Sequence, residues 1–137
     1  MKESSEIIVE VLESSVSIGE IIDRVKTADS GCVVTYIGLI RDNNNGKPVL
    51  SVEYRDVGGK AKDVLQQIAG EILSRWPVKR VAIVHRIGLL NVGDVNFFVA
   101  VAASHRHEGF QACQYAVDQF KTRLPTQKVE MYNPELF

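Results

Sequence analysis

Apolar positions along the chain recur in blocks that predict three helices and six strands. The clearest helix covers 61–76, because apolar side chains recur there at spacings of three and four until Pro77. The clearest strand covers 95–104, where the run is almost wholly apolar and has the length of a buried strand. In chain order, the pattern predicts a strand at 6–12, a helix at 18–25, strands at 31–41 and 49–54, a helix at 61–76, strands at 81–87 and 95–104, a helix at 108–123 and a strand at 126–132.

Local signals refine these boundaries. Ser17 and Glu20 have the spacing of a capping box, which predicts a side-chain cap at the start of the first helix. The Asn-rich segment 42–46 is a turn signal and predicts a hairpin between the second and third strands. Segment 89–94 is interpreted as a connection. The last helix is expected to turn five apolar side chains inward: Phe110, Cys113, Ala116, Val117 and Phe120.

The fold class follows from this order of elements. Hairpins are mixed with helical crossovers, which favours an α+β fold, and the strand at 6–12 is interpreted as an edge strand. The length of 137 residues predicts a single domain over 1–137. A chain of this size buries enough surface to fold without disulfides or metals.

Charge narrows the class of partner. The chain has 16 basic and 17 acidic side chains, which argues against a dedicated nucleic-acid binder. The balance is uneven, since residues 1–30 hold 3 basic and 7 acidic side chains and residues 31–137 hold 13 and 10. No secretory signal and no stretch of about 18 apolar residues is found, so we expect a cytoplasmic protein that does not enter a membrane.

Two clusters could carry chemistry. His105 and Arg106 lie where an apolar strand gives way to a helix, and free amides at a helix start favour an anion. A surface arginine and a capping histidine explain the pair equally well. Lys121 lies in a last helical turn, and Lys128 and Glu130 share one strand face. The turn between them can bring the two lysines together beside the carboxylate. A lysine placed only by the helix dipole is the simpler explanation.

Other reactive residue types give weaker signals. Arg41 closes a strand before a loop, where ligand-binding groups often gather, although a surface arginine is the plainer interpretation. The histidines at 85, 105 and 107 lack a complete ligand pattern, so no metal site is predicted. Cys32 and Cys113 are interpreted as small buried hydrophobes.

Three sequence blocks carry a family resemblance between Gly31 and Glu130. They are GCVVTYIGLIRDNNNG, RWPVKRVAIVHRIGLLNVGD and VAASHRHEGFQACQYAVDQFKTRLPTQKVE. In order and spacing they resemble the catalytic (large) subunit of molybdopterin synthase. The most specific pieces are the VHRIG segment with its following GD, the SHR before the last helix, and the Pro-x-x-Lys-x-Glu ending.

The resemblance implies an α/β-hammerhead fold with a mixed, largely antiparallel sheet and flanking helices. It also implies sulfur transfer to cyclic pyranopterin monophosphate, which forms the molybdopterin dithiolene. The sulfur would come from the thiocarboxylated Gly-Gly tail of a small ubiquitin-like subunit. The implied assembly is a heterotetramer built on a dimer of large subunits, with a pocket drawn from both large subunits and no cofactor.

By position, the resemblance assigns catalytic roles to Lys121 and Lys128. It assigns substrate binding to the same two lysines and to seven further residues: Leu39, Ile40, Arg41, His105, Arg106, Val129 and Glu130. Thr126 and Gln127 depart from the family pattern, which has an aromatic residue or Ile followed by Trp. This departure leaves a second hypothesis, a non-catalytic binding subunit of the same fold. A third is a small-anion-binding protein that uses the start of the last helix.

Overall fold

The computed structural model describes residues 6–132. Within them the chain forms β1 (Ile7–Leu12), α1 (Ile18–Val25), β2 (Cys32–Leu39), β3 (Asn43–Asn44), β4 (Lys47–Arg55), a short 3₁₀ turn (Val57–Gly59), α2 (Ala61–Arg75), β5 (Val78–Arg86), β6 (Gly88–Asn91), β7 (Val95–Ala103), α3 (Arg106–Thr122) and β8 (Gln127–Tyr132). The strands form two sheets, and most of the pairs are antiparallel. The predicted α+β class is confirmed.

The first sheet has the strand order β1-β5-β7-β2. β1 lies at its edge, as expected, and pairs in parallel with β5. Helices cover both faces, which explains the nearly continuous apolar run of β7. Phe97, Val99 and Val101 pack with α2 and α3, whereas Phe98, Ala100 and Ala102 pack with α1. The alternation is that of a strand buried on both sides.

The second sheet is built around β4. Strands β6 and β8 pair antiparallel with β4, and β3 forms a two-residue hairpin with its start. Asn45 and Gly46 turn this hairpin with positive φ values of 54° and 87°, a conformation that Asn-Gly adopts readily. A small apolar core lies within this sheet: Ile40, Val49, Val52, Tyr54 and Leu90.

Two predictions about strand pairing are wrong. β2 does not form a hairpin with β4, because its partner is the apolar β7 and β4 belongs to the other sheet. Segment 89–94 is not only a connection, since residues 88–91 form β6 against β4. The fully buried Leu90 explains this strand, because its backbone needs ladder partners inside the sheet.

Two predictions about helix ends are also wrong. Ser17 is the N-cap of α1 but makes no side-chain cap hydrogen bond, so the capping box does not form. Phe110 is 60% exposed rather than turned inward, because it lies on the outer side of the first turns of α3. No helix among residues 6–132 is long and apolar enough to cross a membrane.

Candidate active site

A cavity of about 260 Å³ opens where the second sheet meets the end of β2 and the end of α3. Its charged lining residues are Arg41, Lys121, Lys128 and Glu130. The uncharged lining comprises Tyr36, Gly38, Leu39, Ile40, Asn43, Asn44, Val49, Val52, Tyr54, Asn96, Phe97 and Phe120. Three cationic side chains thus share one cavity, although they are separated by up to 87 positions in the sequence.

The two lysines reach the cavity from the two sides of one turn. Lys121 lies in the last turn of α3, and Lys128 follows Pro125 in β8. Lys128 pairs across the ladder with Tyr54, which fixes the position of its backbone. Both side chains are solvent-exposed, so they are accessible to a ligand entering the cavity.

Glu130 links Lys128 to the β3 hairpin. Its Oε2 lies 3.4 Å from Lys128 Nζ, and its Oε1 accepts a hydrogen bond of 2.6 Å from Asn44 Nδ2. The Tyr132 hydroxyl also donates to this carboxylate. The Tyr132 hydrogen bond, with smaller contributions from Asn44 and Lys128, lowers the pKa of Glu130 below its usual value. Glu130 therefore stays ionised at neutral pH and holds a cation beside it.

Neutral polar groups also line the cavity. Asn96 Nδ2 donates a 3.0 Å hydrogen bond to the Tyr54 hydroxyl, and burial raises the pKa of Tyr54. Gly38 leaves room for Asn96, since a Cβ at that position would lie 3.0 Å from Asn96 Oδ1. Sequence reasoning did not find these residues. The one available signal was Asn96, a polar side chain within an otherwise apolar strand.

The residues after β2 divide between core and surface. Ile40 is buried in the second sheet, whereas Leu39 is 55% exposed at the mouth of the cavity. Arg41 follows directly and lines the cavity. Val129, expected to line the same site, lines an adjoining depression that shares Asn44, Lys128 and Glu130 with the cavity.

His105 and Arg106 do not lie with the lysines in one copy of the chain. They line a separate pocket at the N-terminus of α3, together with Cys32, Ser104 and Phe110. Both are exposed, and His105 caps α3 through its backbone without a side-chain cap hydrogen bond. The predicted residues thus fall into two groups, one at each end of α3.

The MoaE protein family matches residues 11–123. The chain belongs to this family. It is 46% identical over 102 residues to the molybdopterin synthase catalytic subunit of Nostoc sp., covering 74% of this chain and 62% of the relative's length. It is 38% identical over 120 residues to the molybdopterin synthase catalytic subunit of Halalkalibacterium halodurans, covering 88% of this chain and 77% of the relative. A crystal structure of molybdopterin synthase from Staphylococcus aureus superposes with a TM-score of 0.83 at 28% identity, covering 97% of this chain and 94% of the other.

The cysteines of this MoaE-family chain lie apart from its lysine cavity. Cys113 is buried against the apolar core, and burial raises the pKa of its thiol to about 11. Cys32 is half-buried, and its Sγ donates to the Ala103 carbonyl oxygen at 3.7 Å. A thiol with a raised pKa is a poor nucleophile at neutral pH. Among residues 6–132, no three histidine, cysteine or acidic side chains converge as a metal site would require.

Proposed function

We propose that this MoaE-family chain is the catalytic subunit of a molybdopterin synthase. It would transfer sulfur from the thiocarboxylated C-terminus of a small ubiquitin-like subunit to cyclic pyranopterin monophosphate. The observation that carries the proposal is the shared cavity of Arg41, Lys121 and Lys128. These three residues were assigned to one site from sequence resemblance alone, and their meeting in space supports that assignment.

The chemistry of the cavity suits this reaction. Arg41 supplies a cation for a phosphate group, to which an arginine can bind in bidentate fashion. When the transferred sulfur leaves the acyl carbon of the partner tail, water supplies the oxygen that replaces it, so the tail becomes a carboxylate whose charge a lysine pair can neutralise. The lysines can also move protons during sulfur addition, while Glu130 holds Lys128 in place. Because the partner brings the sulfur, the reaction requires no cysteine from this chain.

The separate position of His105 and Arg106 fits a site that two copies of the chain complete together. In this proposal the chain forms a homodimer, and one copy supplies these two residues to the cavity of the other. A small subunit bound to each copy would make a heterotetramer. Exposed apolar side chains at both places support such a contact, since Phe110 lies beside Arg106 and Leu39 lies at the cavity mouth.

The test is a sulfur-transfer assay with thiocarboxylated small subunit and the cyclic pterin. We expect Lys121→Ala and Lys128→Ala each to lower molybdopterin formation by at least about 100-fold, because both lysines take part in charge neutralisation or proton transfer. Lys62→Ala is the matched control, since Lys62 is exposed on α2 and outside the cavity. No product from the wild-type chain, or equal rates for all three variants, would contradict the proposal.

A non-catalytic binding subunit is the second candidate. The observation that favours it is the polar pair Thr126 and Gln127 just before Lys128, where the resemblance leads one to expect apolar residues. It predicts that calorimetry detects binding of the small subunit while no sulfur is transferred. Measurable turnover rejects this candidate.

A further inference from the structure

His85 is a fully buried histidine that the proposed reaction does not use. It lies near the end of β5 with 0% of its surface exposed. Its ring makes edge contacts with the rings of Tyr54 and Phe120, each at a centroid distance of 4.9 Å. A polar ring at such a position needs hydrogen-bond partners for both nitrogens.

Both ring nitrogens have such a partner. Nδ1 lies 2.9 Å from the backbone oxygen of Asn96, and Nε2 lies 2.9 Å from the Thr126 hydroxyl oxygen. A carbonyl oxygen can only accept, so Nδ1 carries the proton. Burial lowers the pKa of His85, which keeps the ring neutral. Nε2 therefore accepts a hydrogen bond from the Thr126 hydroxyl.

The three side chains that contact this ring all adjoin the lysine pair. Phe120 directly precedes Lys121 at the end of α3. Thr126 lies two residues before Lys128 and is itself buried. Tyr54 is opposite Lys128 in the β4–β8 ladder. One rigid ring thus touches both ends of the turn that joins the two lysines.

We propose that His85 is a positioning residue that fixes Lys121 and Lys128 relative to each other through its hydrogen bond with Thr126. This inference rests on the proposed function and deepens it. Thr126 is buried and bonded to His85, whereas its neighbours Pro125 and Gln127 are partly or fully exposed. Thr126 is therefore the point at which this turn is anchored. Without the hydroxyl, the apolar edge contact of Phe120 would still hold the end of α3. The segment that leads from Pro125 into β8 would lose its anchor, and only the β4–β8 ladder would then hold Lys128.

The test compares three threonine substitutions. Thr126→Val keeps the shape but removes the hydrogen bond, whereas Thr126→Ser keeps the hydroxyl. Thr122→Val is the control, because Thr122 is exposed in the same turn region. We expect Thr126→Val to lower kcat by about 10-fold with KM for the pterin changed less than about 2-fold, since a small misplacement of catalytic groups slows the step after binding. Thr126→Ser and Thr122→Val are expected to keep wild-type kcat.

A second measurement does not depend on turnover. Lysines methylated with ¹³C-formaldehyde report the surroundings of each amine by NMR. We expect Thr126→Val to change the methyl resonances of Lys128 and to change those of Lys121 less, because Phe120 still holds the end of α3. Thr126→Ser should restore both. Unchanged lysine resonances, or a kcat loss that Thr126→Ser shares, would overturn the positioning role. If the wild-type chain transfers no sulfur, the proposed function fails, and the resonances alone decide whether His85 and Thr126 hold the lysines.

Discussion

Gly109 provides a sharp test of how α3 is seated on the first sheet. It lies in the first turns of α3, buried against β2. A Cβ at this position would lie 2.9 Å from Val34 Cγ2, 3.5 Å from Ala103 Cβ and 3.6 Å from Cys32 Sγ. The side chain of Val34, in β2, cannot turn away easily, because branching at Cβ restricts its χ1 angle. Gly109→Ala therefore requires either the helix or the Val34 side chain to shift.

Two opposing terms set the size of the effect. Ala stabilises a helix interior relative to Gly by about 1 kcal/mol. Overpacking a well-packed contact costs about 1–3 kcal/mol. Gly70→Ala serves as the matched control, since Gly70 lies within α2 and a Cβ at that position would have nothing within 4 Å. The helical term is common to both variants, so the difference between them isolates the steric cost of about 1–3 kcal/mol.

Urea denaturation of the three proteins measures this difference. We expect Gly70→Ala to raise the free energy of unfolding by about 0.5–1 kcal/mol. We expect Gly109→Ala to leave it unchanged or to lower it by up to about 2 kcal/mol. Equal stabilisation by both substitutions would refute the close approach of α3 to β2.

Two further stability predictions follow from the packing and the charges. Phe120 stacks on Phe97 at a distance of 3.7 Å between the ring centroids. Phe120→Ala should therefore lower the free energy of unfolding, measured by urea denaturation, by about 3–5 kcal/mol. A loss below about 1 kcal/mol would contradict the stacking. A hydrogen bond from Arg123 lowers the pKa of Glu71 below its usual value of 4.5, and a hydrogen bond from Tyr115 has the next largest effect in the same direction. The ionised Glu71 therefore stabilises the folded protein at pH values above 4.5. This stabilisation is lost as the pH falls toward the lower pKa that Glu71 has in the folded state. The free energy of unfolding of the wild type should exceed that of Glu71→Gln at neutral pH, and this difference should disappear at acidic pH. A difference that does not depend on pH would contradict the role of the Arg123–Glu71 ion pair.

Residues close together in sequence were the easiest to place from the pattern alone. The periodicity of α2 locates its buried face, and the alternation of Lys128 and Glu130 puts both on one side of β8. These features depend only on the spacing of residues within one helix or strand, and that spacing can be read directly from the sequence.

Features that join distant segments could not be predicted in this way. β2 and β4 have similar β-branched patterns, so the sequence alone does not show that β2 selects β7 as its partner. His85 and Asn96 have roles that depend on contacts with Thr126 and Tyr54, each in a distant segment of the chain. Phe110 fits the apolar face of a helix, yet nothing in this chain covers it within the described residues.

The claim that two copies of the chain complete each cavity can be tested by mixing inactive variants. Lys128→Ala removes a residue of the lysine cavity, and Arg106→Ala removes a residue of the pocket at the other end of α3. If each site combines both groups from different copies, a mixed dimer holds one intact site of two. When equal amounts of the two variants exchange subunits at random, half of the dimers are mixed. Because each mixed dimer has one of its two sites intact, about a quarter of wild-type sulfur transfer should return. Activity no higher than that of the separate variants, after mass spectrometry has verified that mixed dimers form, would contradict the shared site.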